Sequence, residues 1–277
     1  MSANPVAIVT GASRGIGRTM ALSLARAGHD VVIAAKTETP HARLPGTIHE
    51  VAREVESLGR RALAVRTDVR ELDDIEALAA RTLKEFGRID VAVHNAGAIW
   101  LTPVLETPLK RLDLVLEVNA RAGFALSQAA AKAMLAGAGG HIVIVAPPIE
   151  LDALPGRVAY AISKFGLTML MQGFAEELRG KPVSINALWP ATAVRSSATE
   201  TFGMGTPEQW RTPEIMGDAL VELVATKPGA MSGRALLDED WLRERGWKDF
   251  AKYQCVPGKE PPRLALRDYP RAGRATE

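Results

Sequence analysis

Tyr160 and Lys164 stand four residues apart in the run Tyr160-Ala161-Ile162-Ser163-Lys164. On a helix that spacing puts both side chains on one face, one turn from each other. An unperturbed phenol has a pKa of about 10, and a neighbouring cation stabilises the phenolate and brings that value down. The pair therefore reads as a proton donor and acceptor, Tyr160, tuned toward neutrality by Lys164. The same spacing also arises by chance, as a half-buried tyrosine beside a solvated lysine. Its weight depends on what else the chain carries.

The strongest support lies at the other end. Val6-Ala7-Ile8-Val9 is a continuous apolar run, as a strand buried on both faces should be. It leads into Thr10-Gly11-Ala12-Ser13-Arg14-Gly15-Ile16-Gly17, then an amphipathic helix over Arg18–Ala27 and a second strand, Val31–Ala35. Strand, glycine turn, helix and strand within about 30 residues form the dinucleotide-binding unit. Gly11 permits the tight turn, Gly15 lets backbone approach a pyrophosphate, and Gly17 lets helix and strand pack closely. Gly11, Ser13, Arg14, Gly15, Ile16 and Gly17 are the candidate phosphate-binding set, with the helix N-terminus offering free N–H groups. The second strand ends in Ala35-Lys36-Thr37. An NAD site usually has an acid there for the ribose 2′-hydroxyl. Here no acid repels a 2′-phosphate, and Lys36 and Arg14 attract one, so NADP(H) is expected over NAD(H).

These motifs sit in a chain of 277 residues that is 47% hydrophobic and 24% charged, enough for a well-buried α/β core. A net charge of +2 provides no field of the size nucleic-acid binding requires. The single cysteine, Cys255, excludes an intrachain disulfide framework and fits a reducing compartment. No uncharged apolar run reaches membrane-spanning length, and no leader pattern precedes the first strand, so a cytoplasmic protein is the expectation. The five histidines are scattered, and no zinc site is expected.

Further along, helices are expected at Thr47–Leu58, Leu72–Phe86, Leu109 to about Ala136, Val158 to about Leu178 and Glu214–Ala225. Strands are expected at Ala62–Val65, Ile89–His94, His141–Val145, Val183–Leu188 and Ala235–Leu237. Ala191–Thr212 reads as a mobile stretch. The alternation predicts a single-domain α/β fold, a Rossmann doubly wound parallel sheet with helices on both faces over residues 1–256. Residues 257–277 are expected to form an irregular tail, disordered or packed along the surface.

Four motifs now stand in order: Thr10-Gly-x-x-x-Gly-x-Gly17, Asn95-Ala96-Gly97, Asn119 within Val118-Asn119-Ala120, and Tyr160-x-x-x-Lys164. Together they resemble the short-chain dehydrogenase/reductase family over about residues 5–240. Pro147-Pro148, Asn186-Ala187-Leu188-Trp189-Pro190, Leu237-Asp238-Glu239-Asp240 and the loop with Pro40-His41 and Leu44-Pro45-Gly46-Thr47 are similar to its hydroxysteroid-dehydrogenase-like subgroup. The resemblance implies that Asp68 and Val69 contact adenine and that Asn95, Ala96 and Gly97 line the cleft. It implies that Asn119, by kinking the long helix or holding a water, links Lys164 to solvent in a proton relay and that Lys164 also binds the nicotinamide ribose. Tyr160 would protonate the alkoxide as hydride arrives at a carbonyl, or deprotonate the alcohol in reverse.

Two departures stand out. The family has a serine about 13 residues before the tyrosine, whereas this chain reads Val145-Ala146-Pro147-Pro148. Losing one such donor typically costs about 10²–10³ in rate, or roughly 2.7–4 kcal/mol. A water or another hydroxyl, for example that of Thr192, is the candidate replacement, and Ser163 is read as serving local packing or cofactor-side hydrogen bonding. The other departure is Pro190-Ala191 where the family often has Pro-Gly. The expected substrate wall, drawn from Ala98–Thr102, Ala146–Pro155 and Ala191–Trp210, supplies Ile99, Trp100, Leu101, Ile149, Leu151, Leu154, Trp189, Phe202, Met204 and Trp210. That wall suggests a small apolar alcohol or carbonyl compound. The competing expectation is a catalytically weakened nucleotide-binding protein with a sensing or scaffold role. A homodimer or homotetramer through the helices near 109–136 and 158–178 is expected, with Leu112, Leu116, Phe124, Phe165, Leu167 and Met171 serving interface or core.

Overall fold

The computed structural model describes residues 3–40 and 45–264. His41 and Leu44 of the loop, and tail residues 265–277 with Pro270, lie outside the described residues. In chain order the elements are β1 (Val6–Thr10), α1 (Gly15–Arg26), β2 (Asp30–Ala35), α2 (Ile48–Ser57), β3 (Ala62–Arg66), α3 (Leu72–Phe86) and β4 (Val91–His94). Next come α4 (Leu109–Val115), α5 (Ala122–Ala136), β5 (Gly140–Val145), α6 (Val158–Glu177), β6 (Val183–Trp189), β7 (Ala193–Val194) and α7 (Ser197–Thr201). The last are β8 (Trp210–Arg211), α8 (Glu214–Val224), β9 (Ala235–Leu237) and α9 (Asp238–Glu244).

Seven strands form one parallel sheet in the order β3-β2-β1-β4-β5-β6-β9. All residues of β1, β2, β4, β5 and β6 are buried, because helices cover both faces. One face carries α3, α5 and α6, with Leu78, Phe86, Leu126, Leu167 and Met171 in its core. The other carries α1, α2 and α8, with Met20, Leu24, Val51, Ile215 and Leu220. The chain reverses direction across the sheet between β1 and β4. In open sheets of this kind a ligand crevice forms at that point, beyond the carboxyl ends of the strands.

Three expected elements differ. Helix α1 begins at Gly15, three residues earlier than its apolar periodicity suggested, so Gly15 and Gly17 lie in its first turn. The expected long helix over 109–136 is interrupted by a π turn, Leu116–Arg121, between α4 and α5. The stretch Ala191–Thr212, expected to be mobile, carries β7, α7 and β8. Its order has distant causes. Arg211 is fully buried and donates to Phe250 O at 2.9 Å and Glu239 at 2.7 Å. The Trp210 indole donates to Met204 O at 2.7 Å. Residues 257–264 then cross this region: Leu264 N donates to Ala191 O at 2.7 Å, and Arg211 also holds Glu260 at 2.5 Å.

Candidate active site

A cavity of about 990 Å³ opens beyond the carboxyl ends of the strands. Gly11 follows β1, Lys36 follows β2, Asp68 follows β3, Asn95 follows β4, Ala146 follows β5 and Pro190 follows β6, and all six line it. Each proposed nucleotide-binding residue lines it: Gly11, Ser13, Arg14, Gly15, Ile16, Gly17, Lys36, Asp68, Val69, Asn95, Ala96, Gly97, Tyr160 and Lys164. Asn119 does not; it stands behind the wall, fully buried.

At the nucleotide end the glycines divide the work by space. A Cβ on Gly17 would lie 2.4 Å from Gly11 O, so only hydrogen fits where α1 meets the turn. Gly15, at φ +55°, would meet nothing closer than Ser196 Cβ at 3.9 Å, so the space in front of it is open. The first turn of α1 contains no acid, and no side chain caps it. Arg14 donates to Thr37 Oγ1 and Gly46 O, both at 3.1 Å, while its Nε is buried without a partner. Asp68 is clamped by Arg70, 2.6 Å away, which holds its carboxyl down at about 2. Asn95 does more than line the cleft: its amide braces Thr10 O at 3.0 Å and Gly11 O at 3.3 Å, fixing the glycine turn to β4. Open backbone, a bare helix N-terminus and cations at the end of β2 fit a dinucleotide phosphate chain.

The middle of the cavity joins three segments. The Asn119 amide donates to Ala98 O at 3.0 Å and to Ser163 Oγ at 2.8 Å, and its Oδ1 accepts from Ala98 N at 2.9 Å. Ser163 Oγ in turn donates to Tyr160 O at 2.7 Å. Ser163 thus couples the π turn to the helix bearing Tyr160. The π turn is what aims Asn119 inward, as such turns often do at functional sites. Sequence reasoning missed one supporting residue, His94. Buried at the end of β4, it bonds Asn119 O at 2.9 Å through Nε2, and burial pushes its pKa down to about 3, so it is neutral. Nothing near His94 in the sequence points to that partner, 25 residues away. Gly97 completes the junction: a Cβ there would sit 3.4 Å from Asn119 Oδ1 and 3.5 Å from Lys164 Nζ.

The charge of Lys164, expected to tune Tyr160, is not among the influences on its phenol in this structure. Burial pushes the Tyr160 phenol up to about 12, against which the charge of Arg157 works. The Lys164 ammonium is itself buried, donates to Val145 O at 3.1 Å, and is pushed down to about 8 by desolvation. The protein therefore keeps Tyr160 protonated at neutral pH, the form that donates a proton.

The substrate end differs more from expectation. Ile99, Leu101 and Met204 line the cavity, as do Leu114, Val118, Pro262 and Leu264, which were not foreseen. Trp189 lies in the core of β6, Trp100 stacks under Arg111 at 4.5 Å, and Trp210 is held by Met204 O. None of these three lines the cavity, and neither do Ile149, Leu151, Leu154 or Phe202. Ala146 and Pro147 do, bringing no side-chain donor. Thr192 does as well, its hydroxyl engaged only at 3.4 Å with Ala193 O. Ala191 is buried behind, its N–H donating to Asp238 Oδ1 at 2.9 Å, so its Cβ leaves the cavity clear. Among the described residues no group of three His, Cys, Asp or Glu is placed to hold a metal, and no helix is long and apolar enough to cross a membrane.

Residues 5–203 match the family described as short chain dehydrogenase. Hydroxysteroid dehydrogenase-like protein 2 of Homo sapiens is 40% identical over 268 residues, covering 95% of this chain and 64% of its own length. The chain thus spans less than two thirds of that relative. A putative dehydrogenase from Xanthomonas campestris superposes with a TM-score of 0.90 at 37% identity, covering 96% of this chain and 98% of that one. Two further structures carry nucleotides. A metagenomic short-chain oxidoreductase in complex with NADP has a TM-score of 0.71 at 31% identity, covering 84% of this chain and 95% of its own. A 7α-hydroxysteroid dehydrogenase complexed with NADH and 7-oxo glycochenodeoxycholic acid has a TM-score of 0.74 at 27% identity, covering 84% and 92%. With its glycine turn, its π turn and its Tyr-Lys helix assembled on one seven-stranded sheet, this chain belongs to the short-chain dehydrogenase family of oxidoreductases.

Proposed function

We propose that the protein is an NADP(H)-dependent oxidoreductase acting on apolar alcohols or carbonyl compounds, with Tyr160 as the acid/base. The observation that carries this reading is that Tyr160 and Lys164 line the same cavity as the glycine turn, with Ser163 and Asn119 bracing them from behind its wall. The turn Gly11–Gly17, Lys36, Arg14, Asp68, Val69 and Lys164 would hold the nucleotide. A bound nicotinamide supplies or accepts the hydride. Tyr160, held protonated by its burial, donates to the carbonyl oxygen in reduction. Asn119 positions Tyr160 through Ser163 and keeps the Ala98 segment closed against the cavity. Lys36 and the absence of a carboxylate at the end of β2 favour a 2′-phosphate, worth about 1.5–3 kcal/mol for one charged hydrogen bond.

Ala146 and Pro147 favour a second reading, a nucleotide-binding protein of weak activity. The test that separates them is NADPH oxidation with aliphatic ketones and aldehydes, in the wild type and in Tyr160→Phe. Turnover that falls by about 10²–10⁴ in the variant supports general acid catalysis. Firm nucleotide binding with no turnover supports the second reading. We also propose a homodimer or homotetramer in the cytoplasm. Leu167 and Met171 belong to the core, whereas Phe124, Ile162 and Met169 on α5 and α6 face outward and suit a contact between copies.

A further inference from the structure

The charged side chains that line the cavity fall into two groups. Arg14, Lys36, Asp68 and Arg70 belong to the nucleotide end, and Lys164 is tied to Val145 O at the junction. The substrate end is apolar, lined by Ile99, Leu101, Leu114, Met204, Pro262 and Leu264, and Arg157 brings its formal charge to that lining. No carboxylate answers it. Arg157 is an exposed residue of that lining, and among the described residues no hydrogen bond or ion pair engages its side chain, whereas Arg14 and Arg70 are each held.

The backbone fixes where this cation stands. The Arg157 N–H donates to Leu154 O at 3.0 Å, and its carbonyl accepts from Ala161 N at 2.9 Å, so the residue opens α6. Tyr160 follows three residues later, in the first turn of the helix. Arg157 and Tyr160 line the same cavity, and the charge of Arg157 works against the rise of the Tyr160 phenol's pKa. A guanidinium presents a planar fork of donors that matches a carboxylate.

We propose that Arg157 is a specificity-determining residue that binds an acidic group of the substrate, so the preferred substrate is an apolar alcohol or carbonyl compound carrying a carboxylate. This deepens the oxidoreductase reading and rests on it for the reacting group. It does not rest on it for the anion, since Arg157 binds the carboxylate whether or not the nucleotide is present.

The experiment has a binding arm and a turnover arm. Octanoate and 1-octanol are titrated calorimetrically into the protein alone and into the protein with NADPH. Reduction of 7-oxooctanoate is compared with that of its methyl ester, which differs in the charge. In the wild type, octanoate binds at least about tenfold more tightly than 1-octanol, and kcat/KM favours the acid over the ester by about tenfold or more. Arg157→Gln brings both ratios to about 1, Arg157→Lys keeps part of each, and the Kd for NADPH does not change. Equal binding of octanoate and 1-octanol by the wild type, or an acid preference that survives Arg157→Gln, overturns the proposal. Failure to bind NADPH or to turn over either ketone contradicts the oxidoreductase reading instead, and octanoate binding to the protein alone still decides the role of Arg157.

Discussion

The two ends of the cavity are built from different materials. At the nucleotide end the working parts are backbone: a glycine turn, the first turn of α1, and side chains such as Asn95 that only hold the backbone in place. The backbone parts, Gly11 to Gly17, lie within a few residues of one another. At the substrate end the working parts are side chains from segments far apart in the chain, Ile99, Leu114, Ala146, Met204 and Leu264, brought together by the β7-β8 pair and by residues 257–264 lying across them. Backbone sites tolerate little change because a missing Cβ cannot be conserved in part. Side-chain walls can be recut one residue at a time.

The largest effect should come from breaking the first end. In Gly17→Val the new Cβ would lie 2.4 Å from the Gly11 carbonyl oxygen, which is backbone and cannot swing away. Overpacking of that kind costs about 3 kcal/mol or more. Nucleotide affinity, read by fluorescence titration, should fall by about a hundredfold or more. The same titration of a wall variant such as Leu114→Ala should stay within a few-fold, and equal losses in the two would erase the distinction.

A substitution at the second end should sharpen the contrast in the opposite direction. Ala146→Ser puts a hydroxyl on the cavity wall at the place where a donor is missing. Carbonyl reduction should rise, by up to about 10² if the geometry suits the transition state, with no change in NADPH affinity. Steady-state kcat and KM on one ketone separate these. Thr192→Val reads the other side of the same question: if Thr192 already supplies the hydroxyl, the wild-type rate drops and Ala146→Ser restores it.

A smaller effect belongs to the boundary between the ends. Lys164 is buried, with a pKa lowered from 10.5 to about 8. Its folded state binds fewer protons than the unfolded chain between those values, so this group makes stability rise with pH from about 8 to about 10.5. Below pH 8 the buried ammonium is a standing cost of about 3 kcal/mol. Lys164→Met removes that cost and forfeits the bond to Val145 O, for a net gain of roughly 2 kcal/mol at pH 7. Urea unfolding of both proteins at pH 7 and pH 10 measures it: the gap between them should narrow as pH rises. A variant less stable than the wild type at pH 7 would show that the lysine is better solvated than its burial implies.

The same division explains what was legible in the sequence. The glycine turn and the Tyr160-Lys164 pair are short, local patterns, and continuous apolar runs marked the strands because both faces of the sheet are covered. The first turn of α1 was missed because glycines carry no helical periodicity. The π turn left no mark in the apolar stripe, which one extra residue in a turn leaves nearly intact; only the family resemblance pointed to a kink at Asn119. The substrate wall was misassigned for a different reason. Trp189 and Trp210 sit near the cavity in sequence, yet one faces the core of the sheet and the other is turned away by a bond to Met204 O. The order of residues 191–212 depends on Arg211 meeting Glu239 and Glu260, 28 and 49 residues away, a pairing that no local pattern announces.

The most direct test of the whole account is a fluorescence titration of the wild-type protein with NADPH and with NADH. The architecture at the end of β2 predicts saturable binding of both, with NADPH tighter by about tenfold or more, and a preference that Lys36→Ala abolishes. Binding of neither nucleotide would reduce the glycine turn to a turn and contradict the account at its base.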